Sequence, residues 1–252
     1  MTSYLAYVWL EAKRQWRNRE ALIFRLGLPT GVYLILRVAA GNQGRSVAGS
    51  GGLPTLPSPT ARLVALAALG AVISGLATGP SLGEDRGSAW LRQLRVTPLR
   101  SGVAVAAKVV VAMSFALPAV ALVAAVGGVT EHIGLDWARW VELVGLMWIA
   151  TTPITVLGAL LGLAFAAEAA QGATNLAFIV LWLAGGIFTP LSNMPDGLAA
   201  FARTLPSYGV VQVGWSAAAG DQPPAASVAL LLAWTLGAGA LAALAWRRVI
   251  AR

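Results

Sequence analysis

GEDRGSAWLRQLRVTPLR, residues 83–100, is the longest strongly polar segment between two apolar runs of this 252-residue chain. Written as a helix, it places Trp90, Leu91 and Leu94 on one face and arginines on the neighbouring face. Such a helix can lie on a membrane surface or dock into another protein. Pro98 ends it, because the residue before a proline disfavours the α conformation.

The composition on either side of this segment is that of a membrane protein. Hydrophobic residues make up 58% of the chain, charged residues only 11%, and the mean hydropathy is +0.73. This is too much apolar surface for a soluble globule, so we expect an all-α polytopic membrane protein. The net charge of +8 comes from cations beside apolar runs, which favours a role in topology over nucleic-acid binding. The absence of cysteine excludes disulfides and thiolate metal sites.

The N-terminal residues 1–20 are predicted to form an interfacial helix. Basic residues are turned away from an apolar stripe and would face an anionic leaflet. The stripe consists of Leu5, Val8, Trp9, Ala12 and Trp16. A cleaved signal peptide is disfavoured, because Arg25 and Arg37 interrupt the following apolar stretch. Each of these arginines could snorkel to its own interface or contact a substrate or subunit, and the sequence favours snorkelling.

Six transmembrane helices are expected after the interfacial helix. They are predicted near residues 21–40, 62–82, 103–126, 140–166, from 173 to about 185, and 227–246. In the second span, Gly75, Gly79 and Gly83 recur at four-residue spacing, which favours close packing within the subunit. In the fourth span, the Thr-Pro sequence ending at Pro153 predicts a bend, and its hydroxyls could line a polar path.

Residues 185–212 interrupt this pattern. Three prolines, Pro190, Pro195 and Pro206, divide the segment into apolar pieces too short to cross about 30 Å of hydrocarbon. Non-helical backbone at membrane depth requires protein or water to satisfy it. We therefore expect a re-entrant pair of broken helices before the last span, with an ordinary external loop carrying one amphipathic helix as the alternative.

The distribution of cations orients the chain. Segments on one side hold eleven lysines and arginines, and segments on the other side hold four. The richer side is expected to be cytoplasmic, with both termini inside, in a multi-pass plasma-membrane protein. This places residues 83–100 in the cytoplasm and residues 185–212 outside.

These features together resemble the ABC-2 type exporter permeases. Residues 83–100 carry an acidic residue, Arg-Gly, a short amphipathic turn and a closing Thr-Pro-Leu, and the fifth apolar segment is broken by prolines. The resemblance covers residues 1–252 as a single transmembrane domain. It implies that residues 83–100 form a loop that couples to an ATPase, and that residues 185–212 form an external gate. The family's acidic-basic run is usually longer than Glu84–Arg86, and Trp90 occupies a place often taken by a smaller or acidic residue.

The resemblance assigns residues to both regions. The implied ATPase-coupling residues are Glu84, Asp85, Arg86, Trp90, Leu91, Leu94, Arg95 and Pro98. The implied gate residues are Phe188, Pro190, Asn193 and Pro195. The implied partners are two copies of a separate ATPase subunit, which would bind ATP and Mg, a second or related permease, and membrane lipids.

Motifs for chemistry within this chain are missing from the sequence. Neither lysine follows the glycine frame of a P-loop, so ATP hydrolysis is expected on a separate subunit. No catalytic residues, metal site or cofactor are expected. The expected function is outward transport of an amphipathic or hydrophobic substrate, such as a drug, lipid or glycolipid, through a lining short of charge. The alternatives are an integral-membrane enzyme acting on lipid-linked substrates and a non-transporting assembly subunit.

Overall fold

The computed structural model describes residues 2–40, 46–47, 53–87, 101–187, 191 and 194–250. Helices make up most of these residues, and Ile23–Gly27 forms a π-helical turn. The helices are α1 (Thr2–Arg17), α2 (Arg19–Leu22), α3 (Leu28–Ala40), α4 (Ser58–Leu76), α5 (Thr78–Gly87), α6 (Ser101–Glu131), α7 (Trp137–Ala150), α8 (Thr152–Ala164), α9 (Ala167–Leu183), α10 (Asp196–Ala202), α11 (Pro206–Ala219) and α12 (Ala225–Ile250).

A short antiparallel ribbon lies between α3 and α4, where the sequence indicated a loop. Its strands are β1 (Ser46–Val47) and β2 (Leu56–Pro57), with Val47 opposite Leu56. Leu56 is buried against the apolar core, and the ribbon packs on α4. This is the one sheet within the part of the chain that the structure describes, so the all-α expectation needs only this small correction.

Four helical stretches are long and apolar enough to cross a membrane. They are Ser58–Asp85, Val105–Glu131, Trp137–Ala164 and Ala225–Arg248. They coincide with the second, third, fourth and sixth predicted spans, so the chain is an all-α membrane protein. The first predicted span is divided by the π-helical turn, and α9 has 17 residues, or about 26 Å of helix. The first and fifth spans therefore remain predictions.

The centre of the bundle is the stretch formed by α4 and α5, which is buried on nearly all sides. Its glycine face packs against α8 and α9, as the four-residue spacing predicted. A Cβ on Gly75 would lie 3.0 Å from Cγ2 of Ile154, and one on Gly83 would lie 2.9 Å from the Cβ of Ala170. These distances leave no room for a larger residue without movement of a neighbouring helix.

Two spans are interrupted at facing positions in the core. The α4–α5 stretch breaks at Ala77, and the α7–α8 stretch breaks at Thr151, just before Pro153. The Thr78 hydroxyl donates to the carbonyl oxygen of Gly75 at 2.9 Å and can also reach that of Thr155 at 3.0 Å. The Thr-Pro prediction of a bend is therefore confirmed, and the buried hydroxyls bind backbone carbonyls instead of lining an open path.

The segment after α9 contains two short helices, α10 and α11, separated at Pro206. Helix α11 runs to Ala219, beyond the predicted limit at 212. Every residue of α11 before Ala219 is buried. A Cβ on Gly214 would lie 2.9 Å from both Val64 Cγ1 and Met147 Sδ, so α11 packs among the spans. Its 14 residues extend about 21 Å, which is too short to cross the hydrocarbon core alone.

Candidate functional site: a buried charge cluster beside the polar loop

Lys108, within the apolar helix α6, is the centre of a buried charge cluster. Its side chain is only 2% exposed, and its Nζ lies 2.7 Å from Oδ2 of Asp85 and 3.2 Å from Oε1 of Glu11. Nζ also donates to the Ser81 hydroxyl at 2.7 Å. An ammonium group in an apolar bundle requires such partners, because the cost of removing it from water is otherwise several kcal/mol.

The cluster joins three elements that are distant in sequence. Glu11 lies on α1, Asp85 lies in the last turns of α5, and Lys108 lies near the start of α6. Arg14, also on α1, approaches Oδ1 of Asp85 at 3.2 Å, so two cations face two carboxylates. We call Glu11, Arg14, Asp85 and Lys108 the loop-side cluster, since α5 leads directly into the polar segment 83–100.

The charge state of Arg14 follows from its neighbours. Partial burial works to lower the pKa of Arg14, but the nearby carboxylates, Asp85 foremost, raise the pKa above its ordinary value. The guanidinium therefore stays charged, and it can hold Asp85 from the α1 side while Lys108 holds it from the α6 side.

The cluster determines which face of α1 is turned inward. Glu11 is 5% exposed, whereas Trp9 and Trp16 on the predicted apolar stripe are 61% and 56% exposed. The basic face of α1, which includes Arg14, was expected to face an anionic leaflet, but Arg14 turns toward Asp85 and approaches its carboxylate at 3.2 Å. The exposed tryptophans fit a helix at a membrane surface, where aromatic rings favour the headgroup level.

A second group of charges lies at the opposite end of α6, and we call it the far-side cluster. Glu131 accepts from Arg62 at 2.9 Å and lies 3.9 Å from Nε of Arg37. Arg37 also donates to the carbonyl oxygen of Thr130 at 2.9 Å. The sequence favoured snorkelling for Arg37, but the structure gives it partners within the chain.

A cavity of about 390 Å³ lies beside the loop-side cluster, between α1, α5 and α9. It is lined by both apolar side chains and polar groups, including Arg25, Glu84 and Thr174. A smaller cavity of about 240 Å³ lies toward the far-side cluster and includes Arg62 and Gln212. The lining of the smaller cavity holds one charged residue, Arg62, and that of the larger cavity holds four: Glu11, Arg14, Arg25 and Glu84. The expectation of a transport path short of charge stays a prediction.

The predicted coupling residues fall into three groups. Glu84 is exposed at the rim of the larger cavity, and Asp85 is buried in the loop-side cluster. Arg86 lies in α5, but its side chain is not among those described. The remaining predicted residues lie outside the described part of the chain: Trp90, Leu91, Leu94, Arg95 and Pro98.

The predicted gate residues are described only in part. Pro195 is exposed and immediately precedes α10, where its fixed φ suits the start of a helix. Phe188, Pro190 and Asn193 lie outside the described residues.

Sequence reasoning missed the centre of the loop-side cluster. Lys108 was considered only as a possible P-loop lysine, and Glu11 was passed over within the interfacial helix. The signal was available, because a lysine within the apolar run VAVAAKVVVA must find a partner inside the bundle. The sequence could not identify that partner, because Glu11 and Asp85 meet Lys108 only through the packing of α1, α5 and α6.

Comparison with known proteins assigns the family. Residues 2–213 match the ABC-2 type transporter family, which covers most of the chain. The chain belongs to the ABC-2 type transporter family.

A relative in Bacillus subtilis (strain 168) bears the name "Putative transport permease YvfS". It is 26% identical to this chain over 155 residues, which are 61% of this chain and 62% of the relative. The matched region thus spans less than two thirds of that protein's own length.

Proposed function

We propose that this chain is the permease subunit of an ATP-driven exporter, coupled to a separate ATPase through residues 83–100. Family membership supports the transporter class. The observation that supports the coupling role is the loop-side cluster, in which the buried carboxylate of Asp85 pairs with Arg14 on α1 and with the buried Lys108 on α6.

The proposed coupling uses the stiffness of the cluster. Glu84 and the apolar face at Trp90, Leu91 and Leu94 would contact the ATPase, as the family resemblance implies. Asp85 would act indirectly, because its carboxylate is engaged with Lys108 and Arg14. A displacement of the loop would move α5, α1 and α6 together, since separating them would leave buried charges unpaired.

The proposed orientation has this coupling end in the cytoplasm. Its support is the excess of cations in the segments beside the cluster, including those of α1 and the end of α12. With both termini inside a plasma membrane, the chain would cross six times, including the divided first segment and α9. Helices α10 and α11 would then enter the bundle from outside as the re-entrant gate region around Pro195.

The proposed complex contains two permeases and two ATPase subunits that bind ATP and Mg. The second permease would be another copy of this chain or a related one. The substrate would be an amphipathic or hydrophobic molecule, such as a drug, lipid or glycolipid, moving outward through the permease pair.

The test is co-purification with an ABC ATPase encoded beside this chain's gene, followed by ATPase assays in lipid nanodiscs. We expect a stable complex whose hydrolysis depends on the permease. Replacing Glu84 and Leu94 together by alanine should abolish this dependence at normal expression. Replacing the exposed Leu236 on α12 by alanine is the matched control, because it removes an apolar side chain remote from the loop. Normal coupling in the Glu84→Ala, Leu94→Ala variant would sink the assignment.

A further inference from the structure

Two helix breaks, each followed by a proline, face each other in the middle of the bundle. The α4–α5 stretch breaks at Ala77, three residues before Pro80, and the α7–α8 stretch breaks at Thr151, two residues before Pro153. Proline has no N–H group to donate to the preceding turn, so a helix that reaches it ends or bends. The two stretches are therefore weakened at the same depth, where Thr78 of α5 reaches α8.

On the loop side of these breaks, α5 and α8 pack together through their backbones. A Cβ on Gly162 would lie 2.7 Å from the Cβ of Leu82, and one on Gly79 would lie 3.2 Å from the carbonyl oxygen of Gly158. At these distances the two backbones are in direct contact, so moving one helix against the other would disrupt close packing along the whole contact. We call α5 and α8 the loop-side pair, because they form one unit whose α5 end leads into the polar segment.

The buried apolar side chains around the two stretches belong to two separate clusters. The larger cluster joins α4, α7 and α11, and in α8 it includes Ile154 and Leu157 of the first two turns. A movement of the loop-side pair against α4, α7 and α11 would leave most of the packing within each cluster intact. The smaller cluster surrounds the loop-side pair and contains Leu82, Ala159, Leu163, Ala242 and Trp246.

The two long spans that run unbroken through this depth, α6 and α12, can also bend there. In α6, Pro118 lies between Val109, which packs against the smaller cluster, and Val120, which belongs to the larger one. In α12, Gly237 and Gly239 lie between the parts of the helix that pack in the two clusters. Proline removes a backbone hydrogen bond and glycine tolerates larger changes of backbone angle, so both residues lower the cost of bending a helix.

One hydroxyl group lies between the two breaks. The Thr78 hydroxyl of α5 is buried, 2.9 Å from the carbonyl oxygen of Gly75 on α4 and 3.0 Å from that of Thr155 on α8. One of these hydrogen bonds crosses the break between α4 and α5, and the other lies within the loop-side pair. A hydroxyl carries a single hydrogen, so it can change from one acceptor to the other as the break opens, without being left unpaired in the core.

We propose that this layer is a hinge. The loop-side pair swings as one unit against α4, α7 and α11, about Ala77 and Thr151, and the Thr78 hydroxyl changes its acceptor during the swing. Residues at the ends of helices are where hinges usually absorb changes in backbone angle. The driving force rests on the proposed function, because an ATPase would displace residues 83–100. The hinge itself is a property of this chain, so it can be measured without the ATPase.

The first experiment measures hydrogen–deuterium exchange of the purified full chain in lipid nanodiscs. We expect peptides that cover residues 74–80 and 149–156 to exchange at least about tenfold faster than peptides from the middle of α4 and α7, because a hinge opens locally. Replacing Pro80 and Pro153 together by alanine supplies both missing N–H groups and should slow this exchange by about tenfold. Breaks that exchange as slowly as the middle of α4, or that ignore the double substitution, would overturn the hinge.

Matched variants locate the effect. Pro59→Ala is the control for the prolines, because Pro59 lies in the first turn of α4, where β2 and not a helix precedes it, and it should leave exchange at the breaks unchanged. Thr78→Val removes the hydroxyl at nearly constant volume and should speed exchange at residues 74–80 by about threefold or more, whereas Thr78→Ser should keep the original rate. Equal rates in the valine and serine variants would overturn the role of Thr78.

The second experiment measures permease-dependent ATP hydrolysis of the complex in lipid nanodiscs. The variant with both Pro80 and Pro153 replaced should assemble with the ATPase but lose at least about tenfold of this hydrolysis, whereas Pro59→Ala should keep it. Its melting temperature should equal or exceed that of the original chain, because each added N–H group can donate within its helix. If the double variant elutes as aggregate, the two single variants decide in its place. Full permease-dependent hydrolysis in the folded variant would overturn the hinge.

The two experiments separate the hinge from the exporter role. Fast exchange at both breaks, slowed by the proline substitutions, in a chain that captures no ATPase would retain the hinge and reject the exporter. Coupled hydrolysis by a chain whose breaks exchange as slowly as the middle of α4 would retain the exporter and reject the hinge.

Discussion

The two charge clusters occupy opposite ends of α6 but differ in what they connect. The far-side cluster joins α6 to α3 and α4 through Glu131, so it fastens helices that are already neighbours in the bundle. The loop-side cluster joins α6 to the peripheral helix α1 and to the residues that begin the polar loop. Both clusters stabilise the fold, and only the loop-side cluster is placed to carry a displacement of the loop into the bundle.

The clusters also differ in how completely their charges are buried. In the loop-side cluster the side chain of Lys108 and both carboxylates are nearly inaccessible, and only Arg14, at 60% exposure, reaches solvent. In the far-side cluster Glu131 is 5% exposed, but Arg62 and Arg37 are 13% and 37% exposed. Water can therefore reach both cations of the far-side cluster but not the central cation of the loop-side cluster. For this reason, substitutions in the loop-side cluster should reduce the free energy of unfolding more than substitutions in the far-side cluster.

The largest expected effect is that of Lys108→Met, which keeps the apolar stem but removes the charge. It leaves the buried carboxylates of Glu11 and Asp85 without the cation they share, with only Arg14 still paired to Asp85, at a cost of about 3–5 kcal/mol. Thermal unfolding of the purified chain, followed by tryptophan fluorescence, should show a large loss of stability, with partial rescue by Lys108→Arg. A melting temperature equal to that of the original chain would show that the cluster is not formed.

Asp85→Asn and Glu84→Gln form a matched pair within the predicted coupling residues. Asp85→Asn removes one acid from the loop-side cluster and should cost about 2–4 kcal/mol, because Lys108 loses its closer acidic partner. Glu84→Gln changes an exposed side chain and should alter stability by less than about 0.5 kcal/mol. The same unfolding measurement tests both, and equal losses would contradict the difference in burial.

Glu131→Gln tests the far-side cluster. Arg62 loses its 2.9 Å partner, and we expect a loss of about 1–3 kcal/mol. Coupling to the ATPase should be unaffected, since the substitution is remote from residues 83–100. A coupling defect at normal stability would show that the two ends of α6 are not functionally distinct.

Substituting alanine for a glycine of the packed face tests how much helix packing contributes to stability, beside the contribution of the charge clusters. Gly83→Ala places a methyl group 2.9 Å from Ala170 Cβ and should cost about 1–3 kcal/mol by forcing α5 from α9. Gly172→Ala is the matched control, because the added carbon meets open space beside its helix and alanine favours the helix. Thermal unfolding should show a loss for the first and no loss for the second.

The parts of the fold that follow from local pattern were predictable from sequence. The apolar runs placed four spans, the spacing of Gly75, Gly79 and Gly83 identified a packed face, and Pro153 predicted the break in the fourth predicted span. Each of these signals lies within one element, so neighbouring residues suffice to read it.

What could not be predicted depends on pairing between distant elements. Lys108 could be recognised as a cation in need of a partner, but the choice of Glu11 and Asp85 follows from how α1 and α5 pack on α6. The inward turn of Arg14 and the partners of Arg37 have the same origin. The β1–β2 ribbon was missed because two residues per strand give no periodic pattern.

The most direct test of the central claim is a double-mutant cycle read by permease-dependent ATP hydrolysis in lipid nanodiscs. The loop-side cycle combines Asp85→Asn with Lys108→Met, and the far-side cycle combines Arg62→Met with Glu131→Gln. We predict that either loop-side substitution abolishes permease-dependent ATP hydrolysis while the complex still assembles. The loop-side double variant should lose no more of this hydrolysis than either single variant. The far-side variants should keep it. Full dependence in the loop-side variants, or equal loss at both ends, would contradict the account.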